Sequence, residues 1–242
     1  MTQPDLSALY EALEATWPPA RAWQSGPFTL RDGAGGGKRV SAATANGPAS
    51  EDEIRAASDA MRAMGQPALF QIRAGDEDLD ARLATMGFDT VDPTIFYSAP
   101  LSVLTPRALP PVSAFLIPEP LAIMIEIWAA GGIGPGRLAV MDRAPSPKTT
   151  VLGRTSDRAV GAGFAAIHSG IAMIHALEVL PEARRKGTAQ NMITALTHWA
   201  DAQGAAHLAL AVTGANDGAN ALYAALGMAQ VGGYHYRIQT AP

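Results

Sequence analysis

The segment Leu180 to Leu196, LPEARRKGTAQNMITAL, limits what this chain can fold into more than any other stretch. A short apolar run meets a proline, two arginines and a lysine follow, then a glycine. Only beyond that glycine do apolar residues recur at helical spacing, at Met192, Ile193, Leu196, Trp199 and Ala200. A strand must therefore turn almost directly into the N-terminus of an amphipathic helix. Such a terminus exposes unpaired backbone N–H groups and the positive end of the helix dipole, and Gly187 keeps the approach open. The arrangement suits phosphate or another small anion.

The cluster Arg184, Arg185, Lys186 stands out because the 242-residue chain is mildly acidic, with a net charge of −4. Without a long Lys/Arg run there is no extended positive surface for nucleic acid, so a smaller anion is expected. The absence of cysteine removes disulfides, a cysteine nucleophile and thiolate metal sites. His168, His198, His207 and His235 share no metal-ligand spacing, and no metal is expected. Hydrophobic residues make up 48% and charged residues 17%, enough for a packed interior. The start, MTQPDLSALYEALEATW, is acidic and amphipathic, unlike a signal peptide, and no run approaches the ~18 apolar residues of a membrane span. A cytoplasmic location is the expectation.

Spacing of Leu6, Leu9, Tyr10, Leu13 and Trp17 predicts a helix ended by Pro18 and Pro19. Strands are expected at 28–31 and 38–45, joined as a hairpin by the loop DGAGGG. Ser50 and Glu53 have capping-box spacing, so a helix starts there and ends at Gly65. A strand at 68–73, a helix at 77–86 and a strand at 90–98 complete the first half. Leu101 to Val112 holds three prolines and no helical period, and most of it reads as a linker. The second half has strands at 113–117, 149–154, 158–168, 171–179, 207–213 and 229–238. Its helices are expected at 119–130, 137–143, from Gly187 to near Gly204, and at 217–226. The result is a mixed α/β chain of two domains, 1–100 and 113–242.

The halves resemble each other. A shift of 140 aligns DARLATMGFDTV at Asp80 with NALYAALGMAQV at Asn220, matching Gly87 with Gly227. A shift of 139 lays ALFQIR at Ala68 on HLALAV at His207. A degenerate duplication is the working view.

The order strand, Arg184-x-x-Gly187-x-Ala189, helix, strand, then Asn216-x-x-Ala219-x-x-Leu222-Tyr223-x-x-x-Gly227-Met228 resembles motifs A and B of the GNAT superfamily of acyl-CoA-dependent N-acyltransferases. The resemblance covers roughly 113–238. Ala189 stands where glycine is commoner, and Met228 where phenylalanine is usual. It implies a GNAT-like fold, with the first half a second, degenerate copy in tandem. It also implies acetyl-CoA as co-substrate, with Arg184 and the backbone N–H groups of Arg185, Lys186, Gly187, Thr188, Ala189 and Gln190 around the pyrophosphate. The pantetheine arm would lie between the strand carrying Leu177 and Val179 and the strand ending at Thr213, with Asn216 beside it. Tyr223 would protonate the departing thiolate, and the acetyl group would pass to a primary amine. A non-catalytic acyl-CoA-binding sensor or scaffold is the alternative.

In direct transfer an amine attacks the thioester carbonyl while a backbone N–H near Val179 stabilises the oxyanion, so no cysteine is needed. For the base, His175 and Glu178 are candidates, and a water chain is a third. Strand alternation places His175 on the face of Leu177 and Val179 and Glu178 on the other. Both His175 and Tyr223 also have plain structural readings, as a hydrogen-bonded histidine and a core tyrosine.

GAGGGKR at Gly33 to Arg39 is not a P-loop, which would need glycine at 32 and Ser or Thr at 39 where the chain has Asp32 and Arg39. It is also expected between strands, with no helix N-terminus beside it. In the first half, GPASEDE puts three acids where the second half has cations, and Leu83 falls where the second half has Tyr223. That half is expected to lack a donor site and to serve as a wall of the acceptor pocket. The rest of the pocket falls to Glu119 through Arg143, where Glu126 and Asp142 could attract an ammonium. The expected partner is a small-molecule or peptide amine, with nucleic acid and membrane excluded and a homodimer left open.

Overall fold

The computed structural model of the chain describes residues 3–105 and 107–239. The first half runs α1 (Leu6–Thr16), β1 (Arg21–Ser25), β2 (Phe28–Asp32), α2 (Lys38–Ser41), β3 (Thr44–Ala45), α3 (Glu51–Ala63), β4 (Ala68–Ile72), α4 (Glu77–Thr85) and β5 (Asp89–Pro100). A short α5 (Leu101–Leu104) follows, then β6 (Ala114–Ile117), α6 (Ala122–Ala130), α7 (Pro135–Arg143), β7 (Lys148–Thr155), β8 (Arg158–His168) and β9 (Ile171–Val179). After a 3-10 turn come α8 (Thr188–Ala202), β10 (His207–Thr213), α9 (Asp217–Ala225) and β11 (Ala229–Gln239). This is a mixed α/β fold.

Local chemistry explains many boundaries. The Asp5 carboxylate accepts from the Ala8 N–H at 2.8 Å to start α1. Ser50 and Glu53 form the expected capping box of α3. Gly87 and Gly227 take φ of +82° and +83° just past α4 and α9, a left-handed stop that glycine adopts without a Cβ penalty.

Two expectations fail at the glycine loop. The tight hairpin is β1 with β2, turning at Gly26 and Pro27; of the expected strand 38–45 only Thr44 and Ala45 pair with β2, and Lys38–Ser41 is a helical turn, so the loop does lead into a helix start, though a four-residue one. β1 is exposed on both faces from Arg21 to Gln24, which is why no alternating apolar pattern marked it. The glycines serve packing: a Cβ on Gly136 at the start of α7 would lie 2.2 Å from the Gly35 carbonyl oxygen. The backbone of the first half thus sits directly on α7.

The main sheet has the order β4-β11-β5-β10-β9-β8-β7-β6. Strands of the two halves therefore alternate across the expected linker. β11 pairs on both sides with first-half strands, β4 and β5, and β5 lies between β11 and β10. The register repeats under a constant shift of 140. Ser98 pairs with Ala229 as Ile238 pairs with Asp89, and Ala99 pairs with Leu208 as Gln239 pairs with Ala68. Ala68 thus corresponds to Leu208, which corrects the shift of 139 by one residue. The two halves are related by a pseudo-two-fold, and each half's last strand joins the other half's sheet.

α8, α9 and α5 cover one face through Met192, Ile193, Leu196, Tyr223, Leu101 and Leu104. On the other face α6 and α7 pack around Trp128, and α1 packs Leu9, Tyr10 and Leu13 against Met173, Tyr234 and Tyr236. α3 and α4 cover β2 and β4. Among the described residues no helix is long and apolar enough to cross a membrane.

Candidate active site

The one parallel pair among the described strands is β9 with β10, and it is short. His207 to Leu210 pair with Ile171 to Ile174, after which the strands part, while β10 continues against β5 to Thr213. A fork opens between His175–Val179 on one side and Ala211–Thr213 on the other.

A β-bulge shapes the β9 arm. Phe164 pairs with His175 and Ala162 with Glu178, so between these pairs one residue of β8, Gly163, faces two of β9, Ala176 and Leu177. Ala176 takes φ of +50°, and its carbonyl accepts the Trp128 indole N–H at 2.8 Å. The inserted residue reverses the expected alternation. His175 and Glu178 share the face of α1 and α6, while Leu177 and Val179 face α8. The bulge carries no residue signature, which is why a period of two misassigned the faces.

α8 begins at the mouth of the fork. Arg185 and Gly187 both adopt left-handed backbone, with φ of +64° and +82°, and a Cβ at Gly187 would meet nothing within 4 Å. The N–H groups of Gly187, Thr188, Ala189 and Gln190 find no acceptor among the described residues, and the first closing bond of the helix runs from Asn191 to Gly187. Thr188 is anchored to the Thr155 hydroxyl at 2.6 Å. Cβ atoms on Gly153 and Gly161 would fall 2.5 and 2.6 Å from the Met192 sulfur, so those glycines let α8 lie close to the sheet.

Of the three cations, Arg184 donates to the Val179 carbonyl at 3.0 Å and to the Glu178 carboxylate at 3.1 Å. Lys186 donates to the Glu182 carbonyl, and Arg185 is exposed. Glu178 reaches beneath the α6–α7 loop, where a Cβ on Gly131 would lie 2.6 Å from it. On the other arm Asn216 caps α9, accepting from the Ala219 N–H at 3.1 Å, and Asn220 donates to the carbonyls of Thr213, Gly214 and Asn216. Tyr223 lies under the fork with its ring 5.5 Å from Tyr97, and burial pushes its phenol up to about 12.

His175 is 2% exposed and stacked on Trp17 at 4.8 Å. Its Nε2 lies 2.8 Å from the Thr16 hydroxyl, which itself donates to the Ala12 carbonyl, and the Arg39 guanidinium approaches Nδ1 at 3.4 Å. A guanidinium only donates and the Thr16 proton is taken, so Nε2 carries the hydrogen and Nδ1 accepts: a neutral imidazole. Burial, then the neighbouring Arg39 charge, hold its pKa well below the usual value. Thr16, Trp17 and Arg39 all come from the first half and were not identified from sequence. Nothing in their local pattern marks them, because they reach the fork only through the packing of α1 and α2 on the second half.

Among the described residues no group of three His, Asp or Glu side chains is gathered as a metal site requires. Residues 125–228 match the model of the acetyltransferase (GNAT) family. The chain is 25% identical to an uncharacterized N-acetyltransferase, YobR, of Bacillus subtilis, with 97% of this chain and 99% of that protein covered. A GCN5-related N-acetyltransferase from Kribbella flavida superposes with a TM-score of 0.71 at 18% identity, covering 99% of this chain and 98% of that one. A tandem GNAT protein from the clavulanic acid biosynthesis pathway superposes with a TM-score of 0.58 at 14% identity, covering 98% and 90%. Residues 125–228 are thus a GNAT-family acetyltransferase domain, and the chain as a whole has the GNAT fold.

Proposed function

We propose that the protein transfers an acetyl group from acetyl-CoA to a primary amine by direct attack. The observation that carries this reading is the meeting of two features at one place: a helix start with four unclaimed N–H groups, and a fork in the sheet that opens beside it. Residues present fit the donor. The N–H groups of Arg185 through Gln190, with the Arg185 and Lys186 charges, would hold a pyrophosphate, and open space at Gly187 admits it. Leu177 and Val179 would flank the pantetheine on the α8 face, with Asn216 beside the β10 arm.

Acetyl-CoA supplies an activated acyl carbon, so that a C–N bond forms as the C–S bond breaks. The protein's part is positional and electrostatic. Glu178, fixed by Arg184 beside the α6–α7 loop, takes the amine proton directly or through one water. Tyr223 donates a hydrogen bond to the leaving sulfur. A phenol at about 12 is roughly 3.5 pH units weaker an acid than a thiol near 8.5, so complete transfer would be uphill by about 5 kcal/mol and the bond is shared. His175, neutral and engaged at both nitrogens, acts as a positioning residue that ties α1 and Arg39 to β9. The first half, with Leu83 buried at the position of Tyr223 and three acids in the first turn of α3, lacks a donor site and walls the acceptor side.

Thiol release from acetyl-CoA over a panel of amines tests the reading. Wild type is expected to turn over with some amine, and Tyr223→Phe to lower kcat about 100-fold with little change in the KM for acetyl-CoA. Release at equal rates by the two would remove Tyr223 from the chemistry. No release with any amine, despite binding of acetyl-CoA, would favour a non-catalytic binding module.

A further inference from the structure

Arg39 is a partly buried cation without an acid. It makes three hydrogen bonds, to the Tyr234 hydroxyl at 3.3 Å, the Ala211 carbonyl at 3.3 Å and His175 Nδ1 at 3.4 Å, and the neutral Tyr236 hydroxyl also lies beside it. All three are neutral and all are longer than the roughly 2.7–3.2 Å of a well-made N–H bond. Acids of the surrounding elements are engaged elsewhere, Asp92 by Lys38 and Glu14 by Arg31 and Arg73. Among the described residues none lies within ion-pair distance of Arg39. A guanidinium withdrawn from water and left without a counter-ion is a state that folded chains rarely keep.

Its place matters more than its burial. The last β9–β10 pair is Ile174 with Leu210. Arg39 touches the next residue on each strand, His175 and Ala211, so the guanidinium stands at the apex of the fork. It stands there on the α1 and α6 face, whereas the α8 helix start that would take the donor's phosphates belongs to the opposite face. An anion reaching Arg39 therefore arrives from the acceptor side.

We propose that Arg39 binds a carboxylate of the acceptor, so that the amine acetylated here is one that also carries a carboxylate, as an amino acid does. This rests on the acyl-transfer reading above. The planar guanidinium matches a carboxylate through two parallel N–H bonds, and the Tyr234 hydroxyl beside it can turn its proton to the same anion. A lysine at this position would keep the charge and lose the fork.

The test uses full-length protein and matched acceptors: amino acids of several sizes and the same amino acids as their carboxamides, with thiol release from acetyl-CoA giving kcat/KM for each. Because amidation also alters the amine, the readout is the change in the carboxylate-to-carboxamide ratio on substitution. Arg39→Gln is expected to lower that ratio at least tenfold, and Arg39→Lys to lower it less, which guards against a Gln variant that fails to fold. An unchanged ratio in either folded variant overturns the proposal and leaves acyl transfer standing. Succinyl-CoA replaces acetyl-CoA in a parallel arm: an Arg39-dependent preference for it places the carboxylate on the donor and likewise overturns the acceptor assignment. Thiol release with neither member of any pair removes the acyl-transfer reading and this one with it.

Discussion

Lowering the pH through the histidine range should destabilise the protein through His175, by an amount that can be worked out. In the folded chain the imidazole is buried, stacked on Trp17 and beside Arg39, and its pKa lies well below the ordinary value. In the unfolded chain it titrates near 6.5. Between the two pKa values the unfolded state binds more protons than the folded one, so stability is complete above about pH 6.5 and is lost as pH falls through and below it. From pH 7.0 to 5.5 the unfolded histidine goes from about one-quarter to about nine-tenths protonated, and this one group removes about 1.3 kcal/mol. Glu14 and Asp80, whose carboxyls are also lowered, contribute loss of the same sign at lower pH, so the comparison must be with a variant. Urea unfolding of wild type and His175→Gln at half-unit steps between pH 5.5 and 7.0, followed by tryptophan fluorescence, isolates the effect. The gap between the two stability curves should change by about 1.3 kcal/mol across the window whatever the variant costs at pH 7. Parallel curves, or a wild type that gains on the variant as pH falls, would refute the neutral, buried histidine and restore it as a titrating candidate for the base.

Two further outcomes follow from the exchanged sheet. A Cβ on Gly233 would lie 2.1 Å from the Thr94 carbonyl oxygen, so Gly233→Ala forces β11 off β5 and should destabilise by about 3 kcal/mol or more in urea unfolding. A variant within about 0.5 kcal/mol of wild type would contradict that register. Residues 113–242 produced alone would leave β11 with neither strand partner and strip Tyr97, Leu101 and Leu104 from the core around α8. At about 1.5–3 kcal/mol for each buried side chain, the loss rivals the stability of a whole domain. Circular dichroism should show no cooperative unfolding transition, and a sharp one would mean that the second half folds without its exchanged neighbour.

Much of this architecture is legible in the residues because local chemistry decided it. The capping box at Ser50, the glycine stops at Gly65, Gly87 and Gly227, and the period-3.6 face of α8 each set an element within a residue or two. The open helix start proposed for the pyrophosphate can be read from the sequence for the same reason, since Arg184 through Gln190 are contiguous. What escaped is non-local. The bulge at Ala176 is marked by no glycine, so alternation put His175 on the wrong face. Arg39 follows a glycine run that looked like a turn between strands, and α2 is brought to the fork by tertiary packing, of Gly35 against Gly136 and of Val40 in the core around Trp128. Strand exchange between the halves is likewise invisible, because β5 and β11 would each look the same with either partner.

Thermal unfolding with and without acetyl-CoA decides whether the start of α8 receives the donor's pyrophosphate. At 100 times its dissociation constant a ligand adds roughly 2.7 kcal/mol, a shift easily resolved in wild type. Gly187→Glu puts a carboxylate into the open space beside the four free N–H groups, at a position whose φ of +82° also lowers the baseline stability, so the ligand-induced shift is compared within each protein. A clear shift is expected in wild type and none in Gly187→Glu. A shift of equal size in both, or none in wild type, would contradict the placement of the pyrophosphate there.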